Sequence, residues 1–256
     1  MKSKLHTQEE LDRAHFELEL LTRLKHPNII PCLGGEETPE SIIIVTPLAK
    51  GDLHSFTVNK VLSEDNCRRL SKQLLEGLCY LHSLGYLHGD VKPENVLIFP
   101  SITSPNLNTI KICDFGFAEQ VGPSGLLPYR GMRGSYGYFS PEQLNRRPYG
   151  QAVDIFALGI MIYTSLSGYE PFYPTNKAGL LTGDPTSDSQ ILVFDSPYWD
   201  MLKRPEVFLR GVLHGDPCKR LTAQEALDSD WIRSNPSAMP SADLSASPED
   251  ADIQFE

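Results

Sequence analysis

The stretch YLHGDVKPENVLIF, residues 86–99, collects two carboxylates, a lysine and an amide directly ahead of an apolar run. The four side chains belong to Asp90, Lys92, Glu94 and Asn95. The apolar residues that follow are typical of a short buried strand, so the pattern predicts a polar loop held by the strand after it. A glycine stands directly before the first carboxylate, and its presence there needs its own explanation.

The composition is that of an ordinary soluble globular protein. The chain has 256 residues, of which 40% are hydrophobic and 22% are charged. That suits one large domain or two small ones with an ample core. The formal net charge is −10 at pH 7. We expect no nucleic-acid partner, because proteins that bind nucleic acid usually carry a basic face.

Cysteine usage and hydropathy favour a location inside the cell. The five cysteines are scattered without a C-x-x-C pair, which favours reduced thiols over a disulfide framework or a zinc site. Residues 1–13 lack the apolar core of a secretory signal. The longest apolar run, residues 155–166, is too short to span a membrane. We predict an intracellular, cytoplasmic protein with no membrane partner.

Residues 7–27 predict an amphipathic helix. Thr7 and Glu10 form a capping box, and an apolar stripe follows at helical spacing. Glu17 borders this stripe, because its neighbours at i−3 and i+4 are apolar. On the pattern alone, a solvated edge glutamate and a functional carboxylate are equally compatible with this position. The stripe comprises Leu11, Ala14, Leu18, Leu21 and Leu24.

The rest of the chain alternates short β-rich segments with helices. The segment 152–168 is apolar all round, which predicts a buried helix. Residues 235–256 are rich in Ser, Pro, Ala and acidic side chains, which predicts a disordered tail. β-rich segments are predicted at 28–35, 40–48, 95–99 and 109–116, and further helices at 65–85, 204–215 and 222–232.

Three motifs in a fixed order carry a resemblance to a known family. Residues 88–90 with Asn95 match H-R-D-x-x-x-x-N except at the glycine, and residues 114–116 are D-F-G. Ser-Pro-Glu at 140–142 stands where the family carries A-P-E. Over residues 17–232 the chain therefore resembles the protein kinase family.

The resemblance implies an α+β fold, namely the bilobal fold of protein kinases. Residues 1–50 would then form a truncated N-lobe with helix C and two strands. Residues 51–234 would form a mainly helical C-lobe, followed by the tail at 235–256. Residues 194–232 look like the calcium/calmodulin-dependent kinase group, and the D-x-K pattern around Lys92 is similar to that of Ser/Thr kinases.

The same resemblance implies the chemistry of the polar cluster. Asp90 would accept or orient the proton of a substrate hydroxyl, and Lys92 would extend toward the γ-phosphate of ATP. Asn95 and Asp114 would hold Mg²⁺, which requires hard oxygen ligands. The implied cofactors are ATP and Mg²⁺, and the implied partner is a protein substrate with Ser or Thr. The oligomeric state is not predicted.

Five further residues are implied in nucleotide binding. Glu17 corresponds to the helix-C glutamate, and Asp52 to the acidic residue near the ribose and the peptide entrance. Val45 resembles the gatekeeper, Leu48 ends the hinge, and Leu97 resembles the floor beneath the adenine. The resemblance also implies that Asp154 holds the backbone of the catalytic loop, that Glu142 pairs with Arg220, and that Ser135 lies near Asp90.

Two departures from the family pattern bear on activity. No glycine-rich loop and no V-A-I-K strand precede Glu17, and Lys2 and Lys4 are poor substitutes for the missing lysine. We therefore expect residues 1–256 alone to bind Mg-ATP weakly and to phosphorylate poorly. Gly89 replaces the arginine that pairs with a phosphorylated activation loop, so that loop's phosphorylation should not be sensed at this position.

Three functional hypotheses follow, led by a Ser/Thr protein kinase. The alternative is a pseudokinase or truncated fragment that acts as an interaction or regulatory module. A third is a small-molecule phosphotransferase of the aminoglycoside-kinase type, which should lack Lys92 and the segment 135–142. Cys113 is either a reactive thiol behind the ATP site or a small buried apolar side chain, and the second interpretation is favoured.

Overall fold

One helix and one hairpin form the upper portion of the fold. Helix α1 spans Gln8–Arg23 and buries Leu20 and Leu21. Strands β1 (Gly34–Glu37) and β2 (Ile42–Val45) pair antiparallel beside it. The computed structural model describes residues 8–38, 41–58, 60–101, 108–172, 192, 194, 199, 202 and 205–234.

The hairpin begins later along the chain than the sequence predicts. A strand was expected at 28–35, but β1 starts at Gly34 and continues through two glutamates that the sequence favours as a turn. Ile29 instead bridges to Ile112, and the Ile30 N–H donates to the Ile112 carbonyl at 2.9 Å. Long-range pairing has overridden local propensity here, since the apolar residues are used by another strand.

Two long helices form the centre of the lower portion. Helix α3 (Glu64–Ser83) packs against α5 (Ala152–Ser167), whose side chains are almost all buried. The buried helix predicted at 152–168 is confirmed, and Gly168 ends it with a left-handed φ of 78°. The remaining helices are α2 (Leu53–Thr57), α4 (Pro141–Leu144), α6 (Pro205–Val212), α7 (Ala223–Leu227) and α8 (Asp230–Arg233).

The single helix predicted over 222–232 is wrong, because the structure divides it into α7 and α8. Ser229 is the N-cap of α8, and its hydroxyl donates to the Ala226 carbonyl at 2.7 Å. Serine competes with the helical backbone in this way. The break lets Trp231 pack on Phe208 with ring centroids 4.7 Å apart.

Two small sheets flank the polar stretch 88–95. Strand β4 ends one residue before it and β5 begins one residue after it, so the stretch is held at both ends. The pairing order is β3–β5–β6 in one sheet and β4–β7 in the other, and every pair is antiparallel. The strands are β3 (Gly51–Asp52), β4 (Tyr86–Leu87), β5 (Val96–Pro100), β6 (Asn108–Ile112) and β7 (Glu119–Gln120).

Some predictions fall outside the residues that the structure describes. They concern Thr7 of the capping box, Lys2, Lys4 and the tail at 235–256. Among the described helices, none is long and apolar enough to cross a membrane.

A buried ion pair joins α4 to the segment before α7. The Arg220 guanidinium donates from Nη1 to Glu142 Oε1 at 2.7 Å and from Nη2 to Oε2 at 2.9 Å. Their side chains are 0% and 3% exposed. Arg220 also donates to the carbonyls of His214 and Ala152, so the charged group is well satisfied. The predicted pairing of these two residues is present.

Replacing Glu142 with Gln should lower the free energy of unfolding by about 3–5 kcal/mol, because a buried guanidinium would lose its counter-charge. Urea denaturation followed by circular dichroism measures the change. The matched control is Arg233→Gln, which opens the exposed pair with Asp228 and should cost less than about 0.5 kcal/mol. Equal losses in the two variants would contradict the role of burial.

Candidate active site

Asp154 attaches the polar loop, residues 88–95, to helix α5. Its carboxylate accepts the backbone N–H groups of His88 at 2.8 Å and Gly89 at 2.9 Å, and the residue is 0% exposed. His82 of α3 contacts Asp154 Oδ2 through Nε2 at 2.8 Å. Burial raises the pKa of Asp154, but the His82 hydrogen bond and the loop contacts outweigh it, and the net pKa is lowered. The buried carboxylate is therefore kept ionised.

His88 connects this loop to the segment that carries Asp114. Its Nδ1 accepts the Asp90 N–H at 3.2 Å, and its Nε2 donates to the Cys113 carbonyl at 3.0 Å. This pair of contacts defines the neutral tautomer with hydrogen on Nε2. The ring also meets the edge of Phe115 at 5.0 Å between centroids. Loop and segment are thereby fixed relative to each other.

Asp90 is almost wholly buried and only half satisfied. Its Oδ2 lies 2.7 Å from Lys92 Nζ and accepts from Asn95 Nδ2 at 3.1 Å. Its Oδ1 has no hydrogen-bond partner among the described residues. A buried carboxylate oxygen without a partner is costly. An external group that donates a hydrogen bond would therefore be stabilised at this atom.

Lys92 bridges the loop to the segment before α4. Its Nζ donates to Ser135 Oγ at 2.8 Å while contacting Asp90. Burial lowers the pKa of Lys92, but the hydrogen bond to Asp90 and the nearby carboxylates outweigh it, and the net pKa is raised. The ammonium thus stays charged next to Asp90.

Asn95 and Asp114 carry side-chain oxygen atoms on two adjoining segments of the chain. The Asn95 amide nitrogen is used on the Asp90 carbonyl at 2.9 Å, which leaves the amide oxygen for a cation. The Cys113 N–H donates to the Asn95 carbonyl at 3.0 Å, so the backbones of the two segments adjoin directly before Asp114, which is exposed. Asp114 has a left-handed φ of 61°, a strained conformation for a non-glycine residue. Amide and carboxylate oxygens fit a hard cation such as Mg²⁺.

Glu17 connects helix α1 to the D-F-G segment. Its carboxylate accepts the Phe115 N–H at 2.9 Å. Burial and the nearby charge of Asp114 raise its pKa, against the smaller lowering effect of the Phe115 hydrogen bond. No basic side chain pairs with Glu17 in the part of the chain that the structure describes. Glu17 is therefore an inward-facing carboxylate and not a solvated edge residue.

The remaining predicted residues lie around β3 and β5. Asp52 is directly opposite Leu97 in the strand register. Asp52 also caps α2, since it accepts the Ser55 N–H at 2.8 Å, and this bond lowers its pKa. Val45, at the end of β2, is 49% exposed, and Leu48, in the loop that follows, is 96% exposed. The fold brings Asp52 and Leu97 together and leaves the other two apolar side chains open to solvent.

Comparison with known proteins places this geometry in a family. The family description "Protein kinase domain" matches residues 1–232. The chain belongs to the protein kinase family. The predicted family and its α+β fold are therefore confirmed.

Individual relatives support the predicted group. The calcium/calmodulin-dependent protein kinase type 1 of Macrobrachium nipponense is 36% identical over 232 residues, covering 88% of this chain and 63% of that protein. The type 1B enzyme of Rattus norvegicus is 36% identical over 223 residues, covering 84% and 61%. The kinase cmkA of Emericella nidulans is 34% identical over 221 residues, covering 85% and 51%. The chain thus spans less than two thirds of the length of these relatives.

The kinase fold gives Gly89 a second reason to be glycine. Its φ is +80°, and a Cβ there would lie 2.6 Å from the Phe117 carbonyl oxygen. The resemblance to kinases explained only that a glycine here cannot bind a phosphorylated activation loop. The backbone shows that a side chain at this position would also have to displace the chain just after the D-F-G motif.

Sequence reasoning missed two residues of this site. His82 carries no local signal, because a histidine in the last turn of a helix is usually only a C-terminal charge. Gly134 lies in a glycine-containing stretch that reads as an ordinary loop. A Cβ on Gly134 would lie 2.6 Å from the Gly89 carbonyl oxygen and 3.2 Å from Asp90 Oδ1.

Cys113 behaves as a half-buried apolar side chain and not as a nucleophile. Burial raises the pKa of its thiol to about 12, and the negative charges of Asp114 and Glu17 add to the effect. Thiols react as thiolates. The structure therefore supports the favoured interpretation of this residue.

Alkylation with iodoacetamide at pH 7.5 should modify the exposed Cys218 at least about tenfold faster than Cys113, because the thiolate fraction falls as the pKa rises. Peptide mapping by mass spectrometry measures both rates in the folded kinase. Cys218→Ser should remove the fast phase. Equal labelling of the two thiols would show that Cys113 is accessible and activated.

Proposed function

We propose that this protein transfers the γ-phosphate of ATP to Ser and Thr hydroxyl groups of protein substrates. The observation that carries the proposal is the buried, unpartnered Oδ1 of Asp90 beside the Lys92 ammonium. A substrate hydroxyl that donates to this atom satisfies it and is oriented for attack. Asp90 would then accept the hydroxyl proton at Oδ1 as the substrate oxygen bonds to the γ-phosphorus, while the bond from that phosphorus to ADP breaks and ADP leaves.

Lys92 has two tasks in this mechanism. It occupies Oδ2 of Asp90 through the 2.7 Å contact, which leaves Oδ1 to accept from the substrate hydroxyl. It also supplies positive charge where negative charge accumulates on the transferred phosphoryl group. Its hydrogen bond to Ser135 holds the segment against which the substrate would lie.

Asn95 and Asp114 are the residues that would hold Mg²⁺, on the strength of their oxygen donors and their adjoining backbones. ATP would supply the phosphoryl group, and Mg²⁺ held by these two residues would neutralise part of the negative charge of the phosphates. The left-handed backbone at Asp114 supports this assignment, because such strain is concentrated at functional sites.

The adenine would lie between Val45, Leu48 and Leu97. Exposed apolar side chains on the end of β2 and the following loop favour a flat apolar ligand that covers them. Asp52, opposite Leu97, is placed to meet the ribose or the incoming peptide. Glu17 would serve as the carboxylate that a cation pairs with during nucleotide binding, since its burial favours such a partner.

The proposed domain boundaries are those of the bilobal kinase fold. We assign residues 1–50 to the N-lobe, residues 51–234 to the C-lobe and residues 235–256 to an acidic tail. The five cysteines are all free thiols, which supports an intracellular location. The partner that the proposal requires is a protein with an accessible Ser or Thr.

Asp90→Asn should reduce phosphoryl transfer about 10²–10⁴-fold, because the amide cannot accept the hydroxyl proton. The measurement is transfer of labelled phosphate from Mg-ATP to a mixed Ser/Thr peptide library, using protein produced from the complete coding sequence. Asp228→Asn, on the exposed face near α8, is the control and should retain activity.

Two results would count against the proposal. Absence of transfer by the wild-type protein, with Mg-ATP present, would favour the pseudokinase alternative. Full activity in Asp90→Asn would remove Asp90 from the mechanism.

The substrate peptide should carry Arg two or three residues before the target Ser or Thr. Glu94 is exposed beside the loop. Burial raises the pKa of Tyr138, and the negative charges of Glu94, Glu170 and Asp90 add to the effect. Three carboxylates near Tyr138 favour a basic side chain in the peptide that would lie there. A positional peptide array tests it, and no enrichment of basic residues would contradict it.

Substitutions that keep the fold should weaken this preference. Asp52→Asn retains an N-cap side chain for α2 while removing the charge. Glu94→Gln removes the second charge. Each should reduce discrimination between an arginine and an alanine peptide about fivefold to tenfold, as expected for the loss of one charge-assisted contact.

A further inference from the structure

Two arginines that follow the D-F-G motif converge on a single carboxylate. We call residues 122–140, which follow β7, the activation segment. Arg130 Nη1 and Arg133 Nη1 each lie 3.9 Å from a carboxylate oxygen of Glu119. The Tyr149 hydroxyl donates to Glu119 Oε1 at 3.3 Å. Glu119 thus contacts the middle of the activation segment and the chain just before α5.

Arg133 is the stronger of the two arginine contacts. Its side chain is 27% exposed, whereas that of Arg130 is 58% exposed, and that of Glu119 is 18% exposed. Ion pairs that are partly withdrawn from water are screened less than exposed ones. The Glu119–Arg133 pair therefore carries most of the interaction.

Glu119 belongs to the same rigid framework as the catalytic loop. It lies on β7, directly opposite Leu87 in β4, and Leu87 precedes His88. The Val121 N–H donates to the Gly85 carbonyl at 2.8 Å, which extends this pairing. A group held by Glu119 is therefore held in register with Asp90.

The two residues after Arg133 contact the reactive groups. Gly134 packs so closely on the loop that a Cβ would meet the Gly89 carbonyl oxygen at 2.6 Å. Ser135 accepts the hydrogen bond from Lys92 at 2.8 Å. Fixing Arg133 thus fixes the piece of chain that lies over Asp90.

The charges of this ion pair are placed opposite to those of a phosphate-dependent switch. In such a switch the segment carries the anion, a phosphate, and the lobe carries the arginine that reads it. Here the segment carries the arginines and the lobe carries the carboxylate, while residue 89 has no side chain to read a phosphate.

We propose that Glu119 is a positioning residue that holds the activation segment in its substrate-accepting arrangement without phosphorylation. The proposal rests on the kinase function proposed above. Glu119 touches neither substrate nor nucleotide in this scheme, and it acts through Arg133 on Gly134 and Ser135.

The test compares Glu119→Gln and Arg133→Gln with the charge swap Glu119→Arg/Arg133→Glu. Each single variant should lower kcat/KM for a peptide substrate up to about fivefold, as expected for the loss of a partly exposed ion pair, with KM for ATP unchanged. The charge swap should recover at least half of the loss on a logarithmic scale. Glu36→Gln, an exposed glutamate on β1, is the control and should match wild type.

Hydrogen–deuterium exchange gives a readout that does not need activity. Peptides covering 129–138 should exchange faster in both single variants and return toward the wild-type rate in the charge swap. Loss of transfer in every protein, with this exchange pattern intact, would reject the proposed kinase function but support the positioning of the activation segment by Glu119 and Arg133. Unchanged exchange and unchanged kcat/KM in Glu119→Gln would overturn the inference.

Phosphatase treatment completes the test. Mass spectrometry first establishes whether Ser and Tyr residues of the activation segment carry phosphate. Dephosphorylation should change kcat/KM less than twofold, and a tenfold loss confined to the activation segment's phosphate would overturn the proposal, whichever residue carried it.

Discussion

The structure depends on one buried charge. Asp154 lies on a helix whose other side chains are almost all apolar and accepts the backbone N–H groups of His88 and Gly89. Removing a carboxylate from water is costly unless hydrogen bonds replace the lost solvation. Only the loop at 88–95 and His82 supply those bonds among the described residues, so the charge and the loop conformation require each other.

A chain of hydrogen bonds connects Asp154 to the rest of the polar cluster. His88 donates from Nε2 to the Cys113 carbonyl and accepts the Asp90 N–H at Nδ1. Asn95 and Lys92 then fix one oxygen of Asp90 and leave the other without a partner. The polar cluster is thus held by its own hydrogen bonds and leaves Oδ1 of Asp90 without a partner among the described residues.

The upper portion is joined to this site by a small set of contacts. The Glu17 carboxylate meets the Phe115 N–H, and Arg13 lies over the Phe117 ring at 5.6 Å. Helix α1 also buries Leu20 and Leu21 in the core that it shares with α3 and α5. Apolar packing therefore contributes to the position of α1 together with these polar contacts.

Much of the molecule was predictable from sequence because its signals are local or periodic. The amphipathic helices α1 and α3, the all-apolar helix α5, and the order of the kinase motifs are visible in the residues themselves. The Glu142–Arg220 pair and the role of Asp154 followed from the family resemblance, and the contacts are present. The sequence also showed that glycine replaces the family's arginine at position 89.

Other features needed the tertiary structure, since each depends on distances between parts of the chain that are far apart in sequence. The start of β1 was set by Ile29 and Ile30 pairing with Ile112. Gly89 and Gly134 owe their identity to a carbonyl that approaches to within the space of a Cβ. Glu119 gained its partners from residues that are unremarkable in sequence. Sequence periodicity records which face of an element is apolar, whereas close approach and charge pairing arise only when the elements have packed.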